Sequence, residues 1–223
     1  MIRSEIVQQF RDICPEIPSR VISDATLHTF LQSGDKEFCA ETRCIVDQDG
    51  TQWLTAVNDQ YYDLSSKITN FFDIDDYPGS GVLYDGEVLT KTTMGGLDAE
   101  SKAWRARAVG TPKKWYRRGK YLYLDRPIDT ANLYVKVYAV LISTDWTTDI
   151  SPYNNLQHLE PYHPAMVLYL IKRAKAKVGK PEEATAAGQE YMSYLAWAKK
   201  QLSGNKFAPI HFVPSISLRG RRR

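Results

Sequence analysis

The sequence predicts an α+β protein: a bundle of N- and C-terminal helices, a strand-rich antiparallel insert between them and an extended C-terminal arm. Three observations predict it. Apolar residues recur at intervals of three and four near both ends of the chain, the spacing of one helical face. Between them, from about Cys44, β-branched and aromatic residues alternate and are broken by turn residues. The last stretch has apolar residues and prolines without either period. The expected organisation is N-terminal helices over 1–43, the insert over 44–144, a helical hairpin completing the bundle over 145–203, and a basic arm over 204–223.

The first helix is expected over 4–14, with Ser4 as N-cap, Ile6, Phe10 and Ile13 on one face, and Pro15 as its stop. In the second, Ser23 can cap and Leu27, Phe30, Leu31, Gly34 and Phe38 recur at intervals of three and four; Leu27, Phe30, Leu31 and Phe38 should pack on the C-terminal helices. Strands are expected at 51–56, 61–64, 68–74, 82–84 and 87–89, and later at 114–118, 121–124 and 133–141. Asp85-Gly86 is a hairpin turn, because both residue types tolerate positive φ. A helical turn near 96–103 interrupts the sheet. The third helix starts at Pro161 or Pro164 and ends at Gly179. Pro181-Glu182-Glu183 opens the fourth, with acids at its positively polarised end, Lys199-Lys200 near the other, and a seam of Ala184, Ala187, Tyr191, Leu195, Ala198 and Leu202.

With 43% hydrophobic and 25% charged residues the chain can bury a core. Its longest apolar run is far below the roughly 20 residues of a membrane span, and the N-terminus carries no signal-peptide pattern. Synthesis and retention in the cytoplasm, with no membrane partner, is the expectation. Cys14, Cys39 and Cys44 are odd in number and lack CxxC spacing, so free buried thiols are expected ahead of a disulfide or a His28-assisted metal site. The four histidines share no ligand spacing, and neither a nucleophile elbow nor a phosphate loop occurs. No catalytic residue, metal or cofactor is expected. Asp73, Asp75 and Asp76 read as a solvated acidic surface.

The net charge of +3 conceals segregation: residues 41–87 carry ten acids and two bases, residues 101–120 eight bases and no acid. In the second block Arg105, Arg107, Lys113, Lys114, Arg117 and Arg118 interleave with Trp104, Trp115 and Tyr116. Bases with aromatics can hold nucleic acid by phosphate neutralisation and stacking. A half-buried hairpin has the same composition, and so does a surface meeting the acidic block of a neighbouring copy. In the arm, Phe207, Ile210, Phe212, Ile216 and Leu218 need a surface to cover, while Arg219, Arg221, Arg222 and Arg223 need acidic side chains or phosphates.

Four segments in this order resemble the bacteriophage head-to-tail adaptor family and the tail-tubular gatekeeper proteins. They are the second helix from Ser23-Asp24-Ala25-Thr26-Leu27 to Phe38, Leu83-Tyr84-Asp85-Gly86-Glu87-Val88-Leu89, Gly110-Thr111-Pro112-Lys113-Lys114-Trp115-Tyr116, and Tyr162-His163-Pro164-Ala165-Met166 with the helical hairpin after it. The resemblance implies a structural virion protein of the neck, in a dodecameric ring between the portal and a tail or nozzle protein. DNA would pass through its channel during ejection without sequence-specific contact. Under that reading the arm meets the portal, and the basic block faces a neighbouring subunit or DNA. The competing reading is a DNA-binding module using 102–120 and the arginine-rich tail.

Overall fold

The computed structural model describes residues 3–47, 49–75, 81–143 and 162–204, with side chains through Leu202. The arm, and with it Phe207, Ile210, Phe212, Ile216, Leu218, Arg219, Arg221, Arg222 and Arg223, lies outside the described residues, as do Pro161 and Asp76. The chain is mixed α+β, its terminal helices flanking a strand-rich middle. It divides into two compact units, one from residues 1–34 and 146–223, the other from 35–145.

In the first unit, α1 (Arg3–Ile13) buries Ile6, Val7 and Phe10. Two expectations fail at its ends. Ser4 lies inside the helix, and Ile13 is exposed because the chain turns there and buries Cys14 in its place. Helix α2 (Asp24–Thr42) starts at Ser23, whose Oγ accepts the Thr26 backbone N–H at 3.3 Å. It begins in the first unit, where Leu27 and Leu31 are buried; Phe38, expected with them, belongs to the second unit. Helix α5 (His163–Lys177) has proline in its first turn and packs on α1 and, more extensively, on α6 (Pro181–Gly204). The apolar seam of α6 is the expected one: Ala184, Ala187, Tyr191, Leu195 and Ala198 are buried, Leu202 half-buried. Lys175, buried near the end of α5, reaches Glu16 and Glu183 and so ties the α5–α6 turn to the segment after α1. Both carboxyls are held below their ordinary pKa by the Lys175 ammonium.

The second unit contains β1 (Thr51–Leu54), β2 (Tyr61–Asp63), α3 (Leu64–Lys67), β3 (Phe71–Ile74), β4 (Val82–Tyr84), β5 (Glu87–Val88) and β6 (Thr90–Lys91). These are followed by α4 (Met94–Glu100), a 3₁₀ turn at Trp104–Ala106, β7 (Lys114–Arg118), β8 (Tyr121–Leu124), β9 (Tyr134–Val137) and β10 (Ala139–Leu141). One sheet runs β1-β9-β4-β5, a second β2-β8-β7-β6, and β10 pairs with β3. All pairs are antiparallel except β6 with β7. The Asp85-Gly86 turn has φ of 48° and 84°, the left-handed pair a two-residue hairpin requires.

The single strand expected over 133–141 is two strands in different sheets. Tyr138 is the pivot: its N–H donates to Gly81 O at 2.9 Å, while its carbonyl accepts from Asp75 N at 2.8 Å. The strand expected over 68–74 is shorter, since Asn70 takes positive φ just before β3. Leu64 opens a helical turn capped by the Asp63 carboxylate, so β2 ends one residue earlier than expected. Alternation sends Trp53, Val135, Val137, Val82 and Tyr84 from one sheet, and Tyr62, Leu122, Leu124 and Trp115 from another, into one core. The rings of Trp53 and Tyr62 meet edge to face across it at 5.3 Å.

Candidate interaction surface

The basic block occupies the sheet β2-β8-β7-β6 and the turn leading into it. The pairings Tyr61↔Tyr123, Asp63↔Tyr121, Tyr116↔Tyr123 and Arg118↔Tyr121 place these side chains on the face turned away from the core. Part of this face is covered. Helix α4 and the 3₁₀ turn lay Leu97 and Trp104 over Tyr116, with Tyr123 packed against them. Trp104 anchors the cover through its Nε1–H, which donates to Asp98 at 2.8 Å.

The three aromatics that suggested stacking on nucleobases are therefore core residues. Trp104, Trp115 and Tyr116 are buried, and the Trp115 indole N–H donates to Leu89 O at 3.2 Å. The bases between them are largely neutralised within the chain. Arg105 lies 3.4 Å from Asp98 and stacks over Trp104; Arg107 lies 3.7 Å from Glu100 and 3.5 Å from Asp125. Lys114 pairs with Glu100, whose pKa it lowers by hydrogen bonding. Arg117 pairs with Asp73 and lies over the Phe71 ring. Asp73 also binds Arg43 at 3.1 Å, so this acid of the solvated-surface reading is an ion-pair hub. Lys120 meets Asp63 at 2.7 Å, which raises the lysine pKa and lowers that of the acid. Two of these contacts, Arg117 with Asp73 and Lys120 with Asp63, join the basic and acidic blocks inside one molecule. Lys113 and Arg118 are exposed and, among the described residues, form no ion pair.

The uncovered half of the face is tyrosine. Tyr123 stacks on Tyr116 at 4.9 Å, and Tyr61 lies 6.0 Å from Tyr123 and 6.3 Å from Tyr121. Arg118, Gly119, Lys120, Tyr121 and Tyr123 line an open depression of about 400 Å³. Sequence reading missed these tyrosines. The Tyr-Leu-Tyr-Leu alternation at 121–124 indicates that one face is tyrosine, but which face turns outward depends on the partner strands.

Chemically, this surface offers phenol rings, hydroxyls and the exposed side chains of Arg118 and of Lys120, the latter paired with Asp63. Such groups bind; they provide neither a nucleophile with its base nor a metal cage. Among the described residues no group of three or more His, Cys, Asp or Glu side chains could hold a metal ion, and no helix is long and apolar enough to cross a membrane.

Compared with known proteins, residues 1–207 match the profile of the SU10 adaptor protein family. No curated protein matches the chain.

Proposed function

We propose, from the premise that the chain belongs to the SU10 adaptor protein family, a phage head-to-tail adaptor family, that it is a structural and non-enzymatic subunit of the virion neck. In this reading further copies form a ring, a dodecamer by the resemblance drawn above, that joins the portal to a tail or nozzle protein. DNA passes through it without sequence-specific contact, and assembly follows synthesis in the host cytoplasm. The observation that carries the proposal is the family match over residues 1–207. The character of the exposed sheet face supports it, since tyrosine rings beside Arg118, which forms no ion pair among the described residues, suit docking.

The DNA-binding alternative loses its stacking groups, because Trp104, Trp115 and Tyr116 are buried, and most of its cations to internal carboxylates. The arm keeps its proposed role as the element that grips the portal: Phe207, Ile210 and Phe212 anchor in apolar grooves and Arg219, Arg221, Arg222 and Arg223 meet acidic side chains. The test is co-sedimentation of the purified chain with portal rings of the same phage, followed by electron microscopy of the pellet. The full chain should add a ring to the portal, and a chain ending at Gly204 should keep its melting temperature while losing portal binding. Unchanged binding by the shortened chain would remove the arm from this role; absence of binding by the full chain would remove the neck assignment.

A further inference from the structure

The end of α2 gathers polar and sulfur side chains that the neck reading does not use. Asp35 and Cys39 lie one helical turn apart on the same face, both without exposed surface, and the Cys39 thiol faces Asp35 Oδ1 at 3.6 Å. Ser143, which follows β10, donates its hydroxyl to the same carboxylate. Arg43 takes a φ of 54° while its N–H still donates to Cys39 O at 2.9 Å, the left-handed end of a helix. The chain reverses there and pairs antiparallel with β10: Leu141 N donates to Ile45 O at 2.9 Å and Asp47 N to Ala139 O at 2.8 Å. Cys44, held between the reversal and this pairing, comes back beside Cys39, and the two thiols share a hydrogen bond.

The two thiols differ as a reacting pair should. Cys44 is partly exposed, whereas Cys39 has no exposed surface. The hydrogen bond from Cys39 holds the Cys44 thiol below the ordinary thiol pKa despite its burial, and the same bond together with burial pushes Cys39 up. Cys44 is therefore the thiolate that an oxidant meets first, and Cys39 the thiol waiting behind it. Cys14, the remaining cysteine, is buried after α1, and burial raises its pKa.

We propose that Cys39 and Cys44 are a redox-modification site, a dithiol that a small-molecule disulfide converts reversibly into a Cys39–Cys44 bond. Cys44, its proton given to solvent, attacks one sulfur of the disulfide RS–SR; a Cys44–SR bond forms and RS⁻ leaves. Cys39 then passes its proton to the Asp35 carboxylate, and its sulfur attacks that of Cys44 and expels a second RS⁻. The two thiolates take up the two protons released, so two protein thiols lose two electrons in all and RS–SR is reduced to two RSH. Closure fastens the last turn of α2 to the segment paired with β10, and Asp35 keeps the Ser143 hydroxyl while losing the Cys39 S–H. A reducing cytosol keeps the pair open and oxidising surroundings close it. The inference goes beyond the neck assignment and stands without it.

The probe is excess glutathione disulfide, given to the full folded chain at about pH 8, near the ordinary thiol pKa. Acid quenching, unfolding and alkylation of the remaining thiols then precede mass spectrometry. Trypsin cuts after Lys36, Arg43 and Lys67, so the bond appears as peptides 37–43 and 44–67 joined, and a reductant separates them. Wild type should lose two alkylatable thiols together and show the joined peptides, with Cys14 still alkylated. The Cys44–glutathione intermediate should stay about tenfold or more below the closed form, because the second attack is intramolecular. Cys39→Ser should stop with one glutathione on Cys44, and Cys44→Ser should leave Cys39 a thiol; melting curves establish that both variants are folded. Wild type that stays reduced, that accumulates glutathione on Cys44 without closing, or that links Cys14 instead would each overturn the inference. So would Cys44→Ser that takes up glutathione at Cys39 as fast as wild type reacts, because Cys39 would then be the accessible thiol. Should either variant fail to fold, the wild-type peptide map decides by itself.

Discussion

Asp35 is a carboxylate with no exposed surface, and it accepts hydrogen bonds from the Ser143 hydroxyl and, at 3.6 Å, from the Cys39 thiol. Burial outweighs both bonds and the nearby Lys36, raising its pKa from 3.8 to about 6. The folded chain therefore holds a proton between those values that the unfolded chain has released. The associated stability is fully present below about pH 4 and is lost as pH rises through about 6. A difference of this size between the folded and unfolded pKa is worth about 2–3 kcal/mol. Asp35→Asn keeps an acceptor for Ser143 and removes the ionisation. Its urea midpoint should exceed that of the wild type at pH 7, and the difference between the two should grow as pH rises from 4 to 6, the comparison cancelling Glu16, Glu183 and Glu100, whose lowered pKa values add stability over the same interval in both chains. A difference that shrinks with rising pH would contradict the sign.

At the scale of elements, the α2–α5 approach is set by one glycine. A Cβ on Gly34 would lie 2.6 Å from Tyr169 Cδ1, and the Tyr169 ring is itself held edge to face against Tyr191 at 5.3 Å. Relieving the clash means moving a packed ring or parting the helices, which costs about 1–3 kcal/mol. The helix-propensity gain of Gly→Ala recovers up to about 1 kcal/mol. Gly34→Ala should then destabilise by about 1–2 kcal/mol, read as a lower urea midpoint with an unchanged slope. A variant more stable than wild type would show that the helices part freely. In the strand-rich unit the decisive element is the Tyr138 pivot, which lets one continuous stretch serve two sheets.

For the whole molecule, the two compact units differ in how the chain builds them. The second is contiguous, from 35 to 145, and has its own core, whereas the first joins residues 1–34 to 146–223. A fragment of residues 35–145 should unfold in one cooperative transition and show dispersed amide resonances. The N-terminal 34 residues alone should be unfolded, because the α1 residues Ile6, Val7 and Phe10 need helix α5 to cover them. Collapse of the 35–145 fragment into a state without dispersed resonances would show that its core depends on the helical unit.

What the sequence determined by itself is whatever local periodicity and backbone chemistry dictate. The α6 seam from Ala184 to Ala198, the Ser23 start of α2, the Asp85-Gly86 hairpin and the α+β order all follow from spacing and φ preferences. Only the tertiary structure decided which charges remain exposed and which aromatics act as surface. Trp104 and Tyr116 could have been stacking groups until α4 covered them, and Tyr61 was one alternating residue among many until its pairing with Tyr123 turned it outward. The opposed charge blocks of the linear chain are partly cancelled where Arg117 meets Asp73 and Lys120 meets Asp63. The physical reason is range. Helix periods and turn preferences act between residues a few positions apart, whereas ion pairing and facial exposure depend on strands brought together from 44 and 57 positions away, a choice made by the shared core.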